Sequence, residues 1–192
     1  MLPYYLAMFG DREKRREAYA MRFEAEDLPG GPWKVADDLC VRSGFITPHW
    51  KDEVAKRSRK AGGFSAWRLF KSQTRDRELW LQTGPYGTDE DAFGAVPRLM
   101  SMMIVNPLFK GQVVKEQVNE SIFVTGVDRI YALERWTDNK SRGTLNTKYI
   151  IGSISRIVFV VVYSDWSDSL TWDEVSQVAE VLAERVHHVQ GY

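Results

Sequence analysis

Apolar and polar positions are patterned most strongly between Tyr149 and Val189. Lys148-Tyr149-Ile150-Ile151 and Arg156-Ile157-Val158-Phe159-Val160-Val161-Val162-Tyr163 are filled almost without a break by β-branched and aromatic residues. That is the composition of strands buried on both faces. The pattern places a turn near Gly152-Ser153 and a polar loop from Asp165 to Ser169. Thr171 and Glu174 then have the spacing of a capping box, in which each side chain satisfies a free backbone N–H of the first helical turn. Leu170 and Val175 flank this cap as a hydrophobic staple. Trp172, Val175, Ala179, Leu182, Val186 and Val189 recur every three to four residues and share one helical face. Burying each large one is worth roughly 1.5–3 kcal/mol, so this hairpin and helix are the expected core.

Upstream, Asp11 to Glu26 alternates basic and acidic residues and reads as a helix, while Tyr19, Met21 and Phe23 also permit a strand at its end. Leu28-Pro29-Gly30-Gly31-Pro32 breaks the chain, and Trp33 to Val41 reads as a strand. Thr47-Pro48 opens a helix that Gly62-Gly63 ends. Phe64 to Phe70 and Leu79 to Tyr86 form an expected antiparallel pair. Thr88-Asp89-Glu90-Asp91 starts a further helix, which Pro97 should kink or split. Asn106-Pro107 is another break. Val113–Val118, Ile122–Val127 and Arg129–Trp136 are strand candidates, and Asp138 to Thr147 reads as a polar loop.

Two units of strand, strand and capped helix emerge from this order. They predict an α+β fold with a mostly antiparallel β-sheet packed by helices. The 192 residues read as a single domain, 1–192, with 1–30 as an N-terminal arm or helix. A composition of 44% hydrophobic and 27% charged residues is that of an ordinary globular chain. Net charge is zero, so no global field draws the protein to nucleic acid or anionic membrane. No apolar run reaches the ~20 residues that span a bilayer. Met1 to Phe9 is apolar but lacks a basic flank and a cleavage site, and reads as a packing arm. The single cysteine, Cys40, excludes an intrachain disulfide and a multi-cysteine zinc site. It reads as a buried, inert thiol, and the expected location is cytoplasmic.

The second half resembles small actinobacterial sensor-like and lipoprotein-like domains, including the LpqN type, of the PsbP/Mog1-like fold. Ala132-Leu133-Glu134-Arg135-Trp136, Gly152-Ser153-Ile154-Ser155-Arg156-Ile157-Val158-Phe159-Val160-Val161 and Leu170-Thr171-Trp172-Asp173-Glu174-Val175 carry the resemblance. It covers roughly a third of the chain and consists of packing residues. It implies a non-catalytic α/β sandwich that binds a ligand or a protein, and it carries over no functional residue. Members of that group are mostly exported, yet this chain shows no export signal and no lipidated cysteine. The disulfides of the kinase-linked sensor domains are also missing.

No motif for catalysis, metal or cofactor stands out, and no cofactor is expected. His49 follows Pro48 at a helix start, where a neutral imidazole could act as a base oriented by Asp52 or Glu53. His187-His188 point about 100° apart on the last helix and are poorly placed to chelate one metal. Asp89, Glu90 and Asp91 argue against phosphate at their helix N-terminus. Charge is uneven. Lys51 to Arg77 is strongly basic, and Asp165 onward is acidic. Lys56, Arg57, Arg59 and Lys60 lie where cations offset a helix dipole, and they are also the candidate partner-binding surface.

Two readings of function follow. The leading one is a non-catalytic binding or accessory protein acting through a protein or small-ligand surface, with a protein partner or a second copy of the chain. A small apolar ligand fits the same reading. The alternative is a small-molecule enzyme with an aromatic-lined pocket, His49 and a nearby carboxylate serving as acid and base.

Overall fold

The computed structural model describes residues 16–41, 65–105 and 111–191. Seven strands, β1 (Trp33–Val41), β2 (Ser65–Ser72), β3 (Arg77–Pro85), β4 (Gln112–Val118), β5 (Arg129–Asn139), β6 (Gly143–Ile154) and β7 (Ile157–Asp165), join one sheet. Its order is β1-β2-β3-β7-β6-β5-β4, and every neighbouring pair is antiparallel. The most continuous apolar run in the sequence thus becomes the central strand, with all nine residues of β7 buried.

Helix α1 (Asp89–Val105) covers one face of the sheet and helix α2 (Trp172–Gln190) covers the other. Strand side chains alternate between faces, so β7 serves both helices. Ile157, Phe159, Val161 and Tyr163 pack with Val175, Ala179, Leu182 and Val186 of α2. Val158, Val160 and Val162 pack with Val96, Leu99 and Met103 of α1. The capping box of α2 is formed as its spacing requires, with Glu174 N donating to Thr171 Oγ1 and Thr171 N to Glu174 Oε2. The α+β class, the antiparallel sheet and the packing helices therefore match the sequence reading.

The departures are local. The β6–β7 turn falls at Ser155-Arg156, not at Gly152-Ser153. Gly152 stays in the ladder, and its glycine is required there because Phe159, directly opposite, puts its ring where a Cβ would stand. Ser155 takes the turn instead, with φ of 47°. Residues 122–127 form no strand. Gly126 adopts φ of 76° and closes a turn with Val127 N donating to the Val124 carbonyl. The expected polar loop over 138–147 is mostly ladder, with Asp138↔Thr144 and Asn139↔Gly143 paired. Residues 16–20 are helical, and Met21 and Phe23 bury without forming a strand. Helix α1 continues through Pro97 without splitting. Its C-terminal end, which has no basic residue of its own, is capped by Arg135 of β5, donating to the Met103 and Ile104 carbonyls at 3.0 and 3.1 Å.

The helix expected after Pro48, and with it His49, Lys56, Arg57, Arg59 and Lys60, lies outside the described residues, as does Asn106-Pro107.

Candidate functional site

Polar chemistry gathers at the two opposite ends of the sheet. At the end where β7 leads into α2, Arg77 is buried on β3 beside Asp165. Its Nε donates to Asp165 Oδ2 at 2.8 Å, Nη1 to Glu174 Oε1 at 2.7 Å and Nη2 to Ser169 Oγ at 2.9 Å. Asp165 also accepts from the hydroxyls of Ser167 and Ser169. Burial opposes the charge on Arg77, but hydrogen bonds to Glu174 and Asp165 outweigh it and raise its pKa. Burial likewise works to raise Asp165. Hydrogen bonds from Ser167, Ser169 and Arg77 prevail and hold its carboxyl below the usual range. Glu174 is lowered too, against burial, by Thr171 and Arg77.

Beside this group, Lys148 of β6 donates to Glu134 and, at 3.2 Å, to Asn146 Oδ1. Asn146 Nδ2 donates to Glu134 at 2.7 Å and to Asp168 at 2.9 Å. Trp136, Trp166 and Trp172 surround the cluster, under Lys115 at 4.1 Å, Arg142 at 4.2 Å and Lys148 at 5.6 Å respectively. Each charged group here is engaged by another residue of the chain. The arrangement clamps the loop between β7 and α2 onto the sheet. It also answers part of the charge asymmetry, because Arg77 and, at 3.8 Å, Arg75 meet the acidic end of the chain internally.

The opposite end is open. The β6–β7 turn, the N-terminus of α1 and the C-terminal turn of α2 meet there. A concavity of about 430 Å³ is lined by Asp89, Glu90, Phe93, Asp128, Ser153 and Ser155. A second of about 300 Å³ shares Asp89 and Ser155 and adds Glu17, Arg156, Val189 and Gln190. Local structure explains the placement. Asp128 Oδ2 accepts the Ser155 N–H at 2.6 Å, which fixes the turn. Arg156 is held by both oxygens of Glu17, at 2.8 and 2.9 Å. Ser153 continues the face of Tyr149 and Ile151 toward α1 and is fully buried. Its Oγ has no hydrogen-bond partner, and neither has the buried Oε1 of Gln190.

Among the sequence candidates, His187 lies within 3.1 Å of the Gly126 carbonyl and His188 is exposed. No cluster of metal-ligating residues occurs among the described residues. Cys40 falls in β1, opposite Ala66. No described helix is long and apolar enough to cross a membrane. Sequence reading missed Phe93, Asp128 and Ser153 as site residues. The available signal was Ser153 itself, a lone hydroxyl ending the apolar row Tyr149, Ile151.

No family model matches this sequence, and no curated protein matches it. The chain is similar to solved structures, two of them mycobacterial. The extracellular domain of PknH from Mycobacterium tuberculosis superposes with a TM-score of 0.57 at 9% identity, covering 93% of this chain and 97% of that one. An uncharacterised Rv0999 ortholog from Mycobacterium smegmatis gives 0.49 at 10% identity, covering 90% and 97%. The first likeness establishes a shared fold. It also corrects the cytoplasmic location expected from the sequence, since the solved chain of this fold is an extracellular domain. That expectation rested on one cysteine and an ordinary composition, and neither reports a compartment.

Proposed function

We propose that the chain is a non-catalytic binding or accessory protein whose ligand or partner enters the concavity beside the β6–β7 turn. The observation that carries this is the buried, unpartnered Ser153 hydroxyl in the lining of an open hollow. A buried polar group without a partner is costly to the fold, and a bound ligand group would satisfy it. The polar clusters at the other end offer no such opening, since their groups are occupied with one another. The fold shared with the PknH extracellular domain supports a role outside the cytoplasm, and the PsbP/Mog1-like resemblance points to the same non-catalytic class. Lys56, Arg57, Arg59 and Lys60 remain a proposed second surface for a protein partner.

The test is amide NMR of the 15N-labelled protein with N-methylacetamide and isopropanol as neutral probes. Shifts concentrated at Phe93, Gly94, Ser153 and Ser155 support the proposal. Shifts concentrated around Trp136, Trp166 and Trp172 contradict it.

A further inference from the structure

We infer that the concavity selects an aliphatic organic cation: an ammonium or guanidinium group on a short apolar stem. This rests on the binding reading above and adds the chemical class. Asp89, Glu90 and Asp128 line the larger hollow, and no cation of the described residues pairs with any of them. Of the two nearby arginines, Arg156 is paired with Glu17, while Arg129, over the Phe93 ring at 4.2 Å and donating to the Phe93 carbonyl at 3.1 Å, keeps one positive charge against the three carboxylates of the hollow. The positive end of the α1 dipole, roughly half a charge, cancels only part of the negative charge of Asp89, Glu90 and Asp91 in its first turn.

The second hollow adds to the same field. Val189 and Gln190 place the C-terminal end of α2 there, and a helix C-terminus carries partial negative charge. Two unpartnered oxygens complete the set. Gln190 Oε1 is an acceptor only, and Ser153 Oγ offers two acceptor lone pairs beside its single O–H donor. Acceptors and carboxylates call for a donor-rich cation. Phe93, covered on one ring face by Arg129 yet still exposed over nearly half its surface, provides an apolar wall for the stem. The volume, about 430 Å³, is in the range of small-ligand sites.

The experiment is amide NMR of the full chain with matched probes: agmatine as the free cation, acetyl-Gly-Arg-Gly-amide as the same group on a peptide, n-pentanol as the neutral stem and acetate as the anion. Agmatine or the peptide should shift Phe93, Gly94, Ser153 and Ser155, and whichever binds more tightly identifies the source. Asp89→Asn/Glu90→Gln should weaken that binding several-fold with an otherwise unchanged spectrum. Raising salt from about 0.02 M to about 0.5 M should weaken it in the unaltered chain. Equal binding by n-pentanol, or binding of acetate instead, overturns the cation assignment and leaves the site. No shift of these amides by any probe overturns both the assignment and the binding reading.

Discussion

Arg129 of β5 donates to the carbonyl of Phe93 in α1 at 3.1 Å, and it does so where the helix cannot. Residue 97, four positions on from Phe93, is a proline with no N–H to give. The guanidinium from the sheet replaces the missing helical donor. Together with Arg135, on the same face of β5, it ties both the interior and the end of α1 to the sheet. This is why Pro97 neither splits the helix nor frees it.

Arg129→Met should therefore lower stability by about 0.5–1.5 kcal/mol, the net worth of a hydrogen bond whose acceptor water can reach. In a Pro97→Ala background, where residue 97 regains its N–H, the same substitution should cost less. A double-mutant cycle by urea unfolding measures the coupling, and strict additivity would show that the two residues act separately.

Gly152→Ala should destabilise by roughly 1–3 kcal/mol, because the new methyl meets the Phe159 ring. Adding Phe159→Leu should recover part of the loss. Thermal unfolding that is identical for the glycine and alanine proteins would mean that the ring moves aside freely.

Leu182 is fully buried under α2, and Leu182→Ala should cost roughly 2–5 kcal/mol. Unchanged denaturant and thermal midpoints would show that α2 does not depend on this contact.

Acid should weaken the clamp at the other end. Asp165 and Glu174 are held below their ordinary values of 3.8 and 4.5. A depressed carboxylate pKa contributes stability that is present above the unfolded value and lost as pH falls through the folded one. Stability should hold above about pH 5 and fall progressively below about pH 4. Asp165→Asn removes a partner from a buried ion pair and should cost roughly 3–5 kcal/mol at neutral pH. Glu174→Gln, half-buried, should cost less and flatten the acid limb. An acid limb with the same slope in Glu174→Gln would remove the clamp from the explanation.

The regular parts of the fold were legible because their signals are local. The unbroken apolar run of β7 needed only β-propensity, and the α2 cap needed only the Thr171–Glu174 spacing. Signals that depend on a partner far along the chain were not. Pro97 suggests a break until Arg129 is seen to supply the donor. Gly152 suggests a turn until Phe159 is seen opposite. Arg77 and Asp165 looked like members of two solvated charge runs, and only the β3–β7 register brings them together. The candidate site was hidden for the same reason. Ser153, Asp128 and Phe93 come from three separate stretches, and what marks Ser153 is an absent partner at the lining of an open hollow, which sequence cannot display.

The central claim is that the Ser153 hydroxyl serves a ligand and not the fold. The unfolding free energy of Ser153→Ala, measured by urea denaturation without any ligand, tests it most directly. Removing a buried hydroxyl that has no partner relieves its desolvation, so the variant should be as stable as the unaltered protein or more so, by up to about 1 kcal/mol. A loss of about 1 kcal/mol or more would mean that the hydroxyl is bonded within the folded chain, and would contradict the account.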